Sequence, residues 1–476
     1  MPLLRIVFPR SVSTRTSYNQ LILSEMKTRF PTFAAFAMGC LLAISTPIFS
    51  QTEQKSDLRP AQALYEDANG YLGRAYAEFN KKKLSYDSQL EAKTKQEQKD
   101  RAIQNANELG ARKSLSDEDL YYLGMLRHLS GDSDATLEVM RKYLAHNSKG
   151  EKPQIARAVL VLHASKKNLL SEAEKVVAAY RKAEPIDVNE LFGMETLLAD
   201  GFNKVKDYER MAVHARGMLE AAKRETKPKL NTFKRDERLF KGSSVLADAL
   251  VKLNQQDAAI ATIENLVKLS IALPSGNLYR MARFRLAGLN PTADPSKWST
   301  PSADTHATLP PEIVAAEWID QEPTKLADLR GQVVLLDFWA PWCGPCQYVF
   351  PKLQAWQEKY KDKGLVILGV TKYFGLANGR KATHAEEAAY LRDFKKRNRL
   401  PYGFVVSDSS VNDINYGISS IPMSFLIDRN GNVRFIAVGA NDQETTALGK
   451  MIKQLLDEPV KNSSRESGQG SARANK

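Results

Sequence analysis

Val333-Val334-Leu335-Leu336-Asp337-Phe338-Trp339-Ala340-Pro341-Trp342-Cys343-Gly344-Pro345-Cys346 is the stretch that decides the fold of the C-terminal third of this chain. Its first half is a short, almost wholly apolar run, the pattern of a buried strand. Residues Tyr348–Tyr360, which follow the cysteines, read as a helix. Strand, Cys-x-x-Cys and helix in that order are what dithiol exchange requires. The first cysteine falls at a helix N-terminus, where unpaired amides and the macrodipole stabilise a thiolate. The second lies one turn further in, within reach of a mixed disulfide formed by the first. Zinc binders share the Cys-x-x-Cys spacing, but a zinc site needs two further ligands at suitable spacing, and none follows. No metal and no other cofactor is expected.

Residues 337–346 resemble the active-site segment of thioredoxin. The wider span from Thr308 to Asp457 is similar to the secreted TlpA/ResA-type thiol–disulfide oxidoreductases of that superfamily. Leu326-Ala327-Asp328-Leu329-Arg330-Gly331-Gln332 matches their lead-in to the first core strand, and Leu365–Val370 their next strand. Thr371 to Ala385 fits their characteristic insertion, and Ala388–Lys396 its helix. Ser419-Ser420-Ile421-Pro422-Met423-Ser424-Phe425-Leu426-Ile427-Asp428 matches the segment that carries the family's cis-proline, and Asn430-Gly431 after it predicts a tight hairpin turn.

The resemblance implies an α/β thioredoxin-like fold, a central mixed sheet flanked by helices. It also implies roles: Cys343 as nucleophile, Cys346 as resolving cysteine, and a redox-active disulfide Cys343–Cys346. Asp337 takes the place of the family's proton acceptor and Pro422 that of the cis-proline, with Trp342, Gly344, Pro345 and Ile421 lining the substrate groove. The residues agree with this independently at Asp337, since a lone carboxylate in a Val/Leu strand is costly unless it has work to do. Trp339 reads as core. Where many ResA-type proteins carry a glutamate three residues after the second cysteine, this chain has Val349, which shifts the expected activity from apocytochrome recognition toward a broader, thioredoxin-like one. A peroxidatic cysteine would need Thr or Ser in a P-x-x-x-T/S-x-x-C setting, and Pro341-Trp342-Cys343 does not supply it. Gly-Pro between the cysteines resembles thioredoxin more than the oxidant DsbA, so net reduction of disulfide-bearing client proteins is expected. In an oxidising compartment that implies a membrane-embedded electron donor.

The rest of the chain is organised around this domain. At about 150 residues per domain, 476 residues suggest roughly three units. With 43% hydrophobic and 26% charged residues, the composition is that of a globular protein able to bury a core. Its three cysteines, Cys40, Cys343 and Cys346, exclude an all-cysteine zinc site and a multiply bridged scaffold. The net charge of +13 comes from basic residues interleaved with acids, as in Lys93-Thr94-Lys95-Gln96-Glu97-Gln98-Lys99-Asp100. This describes a solvated basic surface, and no nucleic-acid partner is expected.

Residues 1–25 read as an extension of no organised pattern. Residues 26–50 read as a signal peptide: a positive start at Met26-Lys27-Thr28-Arg29, twelve uncharged residues Phe33–Ile44, then small residues up to a cut after Ser50. The chain is thus expected to be periplasmic or otherwise exported. The apolar run falls short of the ~20 residues of a spanning helix, although an uncleaved membrane anchor stays open. Lipidation at Cys40 is disfavoured because the apolar segment continues through Leu41-Leu42-Ala43-Ile44.

Residues 57–290 show helical periodicity in pairs broken at Ser130-Gly131-Asp132, Lys166-Lys167-Asn168, Asp207 and Asn254-Gln255-Gln256. Ala135 and Ala173, at equivalent helix starts, lie 38 residues apart, near the tetratricopeptide period. The region resembles a degenerate TPR-like array, which implies a surface for a peptide or protein ligand. A plain bundle serving as spacer or dimer contact is the alternative. Prolines mark residues 291–307 as a linker, and residues 458–476, which lack aromatics, read as a disordered tail. The expected whole is multidomain: an all-α helical-repeat-like N-terminal region, then the thioredoxin-like fold at 308–457. Two functions compete. One is an exported thiol–disulfide oxidoreductase with an array that selects clients, the chemistry residing in 308–457. The other is a helical-repeat binding scaffold with a subordinate or regulatory redox domain.

Overall fold

The computed structural model describes residues 58–224, 232–291 and 309–459. The predicted extension, the signal segment with Cys40, most of the Pro-rich joint and the tail beyond 459 lie outside these residues.

Twelve helices run from Ala61 to Leu289 among the described residues. They include the predicted pairs Asp117–Ser130 with Ser133–His146, Glu151–Lys166 with Leu170–Lys182, Val188–Lys204 with Tyr208–Arg224, and Thr232–Lys252 with Gln256–Ala272. The turn at Ser130-Gly131-Asp132 shows why the chain reverses there. Gly131, at φ +83°, ends the first helix in the left-handed region, and Asp132 at once caps the second by accepting the Ala135 amide at 3.0 Å. Paired helices touch through small residues: a Cβ on Gly124 would stand 2.7 Å from Met140. His128 and His163 join this packing, their Nδ1 and Nε2 atoms 2.8 Å apart.

The chain divides into two compact units between Gly201 and Phe202. Helices Tyr208–Arg224, Thr232–Lys252, Gln256–Ala272 and Gly276–Leu289 therefore share a unit with the sheet that follows them, rather than ending with the array at the prolines. The sheet has the order β1-β6-β3-β2-β7-β8: β1 Glu317–Ile319, β2 Val333–Phe338, β3 Leu365–Lys372, β6 Gly403–Ser407, β7 Met423–Ile427 and β8 Val433–Val438. β2, β3 and β6 run parallel, while β7 lies antiparallel to β2, β8 to β7, and β1 to β6. The expected mixed sheet is thus present. A small hairpin, β4 Leu376–Ala377 with β5 Arg380–Lys381, fills the predicted insertion.

Every residue of β2 is buried, because both faces of the sheet are covered. Val333, Leu335, Ile367, Phe404 and Phe435 share a core with helices Gly344–Tyr360, His384–Arg397 and Asp442–Asp457. Across the sheet, Gln256–Ala272 and Gly276–Leu289 pack against the edge strand β8, and Gly276 meets Met423 at the start of β7. Covering an edge strand with helices keeps it from pairing with other chains.

Candidate active site

β2 delivers Asp337 and Phe338 to its C-terminal end, and the ladder continues one residue further, the Trp339 amide donating to the Val370 carbonyl at 3.1 Å. The chain then turns, with the Cys343 amide donating to Ala340 at 3.1 Å, and helix Gly344–Tyr360 begins. Cys343 is the N-cap of that helix, its Sγ accepting the Cys346 amide at 3.2 Å, and Pro345 sits in the first turn where a missing amide proton costs nothing.

Cys343 and Cys346 are joined as a disulfide with Cα atoms 5.3 Å apart. Although it starts the helix, Cys343 is only 5% exposed in this state, against 1% for Cys346. Its sulfur is directed to Cys346, and both join the cluster of Trp339, Ala340, Val349 and Phe350. The solvent rim is formed instead by Trp342, 62% exposed, with Gly344 and Pro345, also exposed. Trp339 is core, its ring within 5.5 Å of Phe350, Phe394 and Phe404. Val349 is buried beside it, where a glutamate would have been desolvated.

Asp337 is 1% exposed, and its carboxylate is held by the Ser424 hydroxyl, which donates to Oδ1 at 2.8 Å. The pairing of β2 with β7 sets Asp337 directly opposite Ser424. Burial pushes the Asp337 carboxyl up to about 6, and the Ser424 bond pulls it partly back. Such a group can hold or release a proton near neutral pH. The Tyr402 phenol, buried nearby, is raised by desolvation and by the charge of Asp337.

Register also places Pro422. Phe338 pairs with Met423, so Pro422 enters β7 at the end of β2 from which the cysteines depart. Its bond to Ile421 is cis, Ile421 packs against the cluster holding both cysteines, and the Pro422 carbonyl accepts the Gly439 amide at 2.9 Å.

Two neighbours escaped the sequence reading. Ser424 carried no local signal, because its pairing with Asp337 joins strands 87 residues apart. Glu387, buried on helix His384–Arg397, accepts the amides of Phe374, Gly375 and Leu376 at 2.8–3.3 Å. It thereby holds the insertion so that Phe374 stands edge-on to Trp342, ring centroids 5.4 Å apart. A glutamate among polar neighbours on a surface helix looks solvated until the helix is docked.

Residues 309–452 match the Redoxin family. Protein DipZ of Mycobacterium tuberculosis is 33% identical over 137 residues, 29% of this chain but only 18% of DipZ, so the chain spans less than a fifth of that relative. Thiol-disulfide oxidoreductase ResA of Geobacillus thermodenitrificans is 28% identical over 174 residues, 36% of this chain and 88% of ResA. Thioredoxin-like protein YneN of Bacillus subtilis is 30% identical over 136 residues, 29% of this chain and 70% of YneN. Among solved structures, the thioredoxin domain of a thiol-disulfide oxidoreductase from Bacteroides vulgatus aligns at 22% identity over 30% of this chain and 96% of that domain, with a TM-score of 0.25.

Proposed function

The chain belongs, through residues 309–452, to the TlpA/ResA-like thiol–disulfide oxidoreductases of the thioredoxin superfamily, and on that premise we propose that it reduces disulfides of exported client proteins through Cys343 and Cys346. The observation that carries this reading is one end of β2. There a disulfide-linked cysteine pair at a helix start lies close in sequence to a buried carboxylate that burial raises to about 6.

The Cys343 thiolate attacks a client disulfide, forming a mixed disulfide and releasing one client thiolate. Asp337 then accepts the proton of the Cys346 thiol. The Cys346 thiolate attacks Cys343 Sγ, the second client sulfur leaves as thiolate, and the Cys343–Cys346 disulfide remains. Two electrons pass to the client, and a donor dithiol must return them. A membrane-embedded reductase is the donor we assign, since the cell exterior offers no reducing pool. Pro422 and Ile421 form one wall of the client groove, and Trp342, Gly344 and Pro345 the other. The helices ahead of Gly201 offer a surface for a peptide or protein ligand, consistent with client selection.

The deciding experiment is a pull-down from the exported compartment with the full chain carrying Cys346→Ser. Disulfide-linked clients released by dithiothreitol support the reading, and an empty trap from correctly exported protein refutes it. Export has its own check: mass spectrometry of the mature protein is expected to find a new N-terminus near Gln51. An intact Met1 or Met26 form in the cytoplasm would exclude it.

Ser424 supplies a prediction about pH. Its hydroxyl favours the ionised form of Asp337, so Ser424→Ala raises the carboxyl further above its ordinary value. A proton acceptor must be ionised to act. The rising limb of the pH–rate profile for resolution of the mixed disulfide therefore moves to higher pH, and the rate at pH 6 falls by about 3- to 10-fold. A limb that stays in place removes Asp337 from the proton path.

A further inference from the structure

Helix Gly276–Leu289 begins on the loop that leads into Pro422. The Gly276 amide donates to the Tyr416 carbonyl at 2.9 Å. A Cβ on Gly276 would fall 1.9 Å from Met423 Sδ and 3.3 Å from the Gly417 carbonyl oxygen, so glycine alone allows this approach. Gly417 answers from the loop: it holds φ +58°, and a Cβ there would lie 2.8 Å from Ser275 Oγ. Ser275 caps the helix, accepting the Leu278 amide at 3.3 Å, and donates its hydroxyl to Asp236 Oδ2. Asp236, on helix Thr232–Lys252, is fully buried, and its other oxygen accepts from Arg235 Nη2 at 2.8 Å. One turn along helix Gly276–Leu289, Arg280 Nε donates to Ser419 Oγ at 3.1 Å. On its other side the loop is pinned by Tyr416, whose ring lies 5.2 Å from Phe338 and 5.0 Å from Phe425.

We propose that Asp236, Ser275 and Gly276, none of them within the thioredoxin-like span, are positioning residues for client reduction, because they set the path of Tyr416–Ile421 and so the placement of Pro422. The proposal rests on the reading that Pro422 lines the client groove. A buried carboxylate is a poor device for stability alone, since the Ser275 bond and the Arg235 pair largely offset its desolvation. What it adds is a single orientation for the Ser275 hydroxyl, and hence for the helix start on which the loop rests. A wall displaced by even 1 Å misplaces a client disulfide for in-line attack.

The test uses the full chain with Ser275→Ala, Gly276→Ala, Pro422→Ala and, as control, Arg285→Gln, which breaks an ion pair to Asp248 in the same helical layer. Two rates are measured at a temperature where each variant has native near-UV circular dichroism. One is the single-turnover oxidation of the pre-reduced protein by insulin, which needs the groove. The other is reduction of the Cys343–Cys346 disulfide by dithiothreitol, which does not. Ser275→Ala and Gly276→Ala are expected to slow the insulin reaction about tenfold and to leave the dithiothreitol reaction within about twofold. Arg285→Gln should change neither. Normal insulin rates in Ser275→Ala and Gly276→Ala beside a slow Pro422→Ala overturn the positioning role alone, as does equal slowing of both reactions. A normal Pro422→Ala overturns the groove reading and the proposal with it. Should Gly276→Ala fail to fold, Ser275→Ala, which removes a single oxygen, still decides.

Discussion

Cys343→Ser is expected to reduce insulin disulfides at the uncatalysed background, a loss of about 10³-fold or more, because it removes the atom that forms the mixed disulfide. Cys346→Ser should lose turnover as fully but for another reason, accumulating protein disulfide-linked to its client. The asymmetry comes from the helix start. Cys343 is the N-cap of Gly344–Tyr360, where the amides of the first turn favour a thiolate, while Cys346 lies inside the helix and is the more buried of the two. In the reduced protein, iodoacetamide at mildly acidic pH should therefore label Cys343 first. In the oxidised protein both sulfurs are tied up in the disulfide and offer no thiolate, so labelling must follow reduction. Equal labelling of both, or a client trapped by Cys343→Ser rather than Cys346→Ser, would reverse the assignment.

Asp337→Asn should make the oxidised protein more stable at neutral pH while slowing resolution of the mixed disulfide. Burial raises the Asp337 carboxyl to about 6 in the folded chain, against an ordinary value of 3.8. Below pH 4 both folded and unfolded chains hold the proton, and Asp337 is neutral in its effect. Between pH 4 and pH 6 the unfolded chain releases its proton and the folded one retains it, so stability falls as pH rises through this window. Above pH 6 the full penalty, about 3 kcal/mol, is in place. An asparagine escapes that penalty but leaves amide donors buried, at a cost of about 1–2 kcal/mol, so the net gain at pH 7 is about 1–2 kcal/mol. Urea denaturation of the parent and Asp337→Asn at pH 4, 5, 6 and 7 should show the variant less stable at pH 4 and more stable at pH 7, the two stability curves crossing in between. A variant less stable than the parent at pH 7 by the same amount as at pH 4 would mean that the folded chain does not raise this carboxyl. The same substitution should slow resolution at pH 7 by about 100-fold or more, the range of a lost general base.

The strand, the cysteine pair and the Ile-Pro step of the candidate site were legible because their signals are local. A buried strand, a dithiol at a helix start and an Ile-Pro step each occupy a few adjacent residues, and the thioredoxin-like resemblance orders them along 150 residues of chain. Helix pairs from Asp117 to Ala272 were legible for the same reason: turn chemistry such as Gly131-Asp132 and apolar spacing act within one or two turns. What the sequence by itself could not determine is which surfaces these helices cover. Proline-rich residues 291–307 suggested a clean joint between array and redox domain, and so a separable catalytic piece from Thr308 onward. Tertiary structure decided otherwise for Tyr208–Leu289, which share a compact unit with the sheet and start a helix on the loop before Pro422. A linker's composition reports only the freedom of its own backbone, whereas a unit's boundary depends on where apolar surface is buried. Asp337 opposite Ser424, Glu387 beneath the Phe374 amides and Asp236 behind Ser275 belong to the same class. Each is a polar group whose partner is distant in the chain and is met only when packing excludes water and obliges the two to pair.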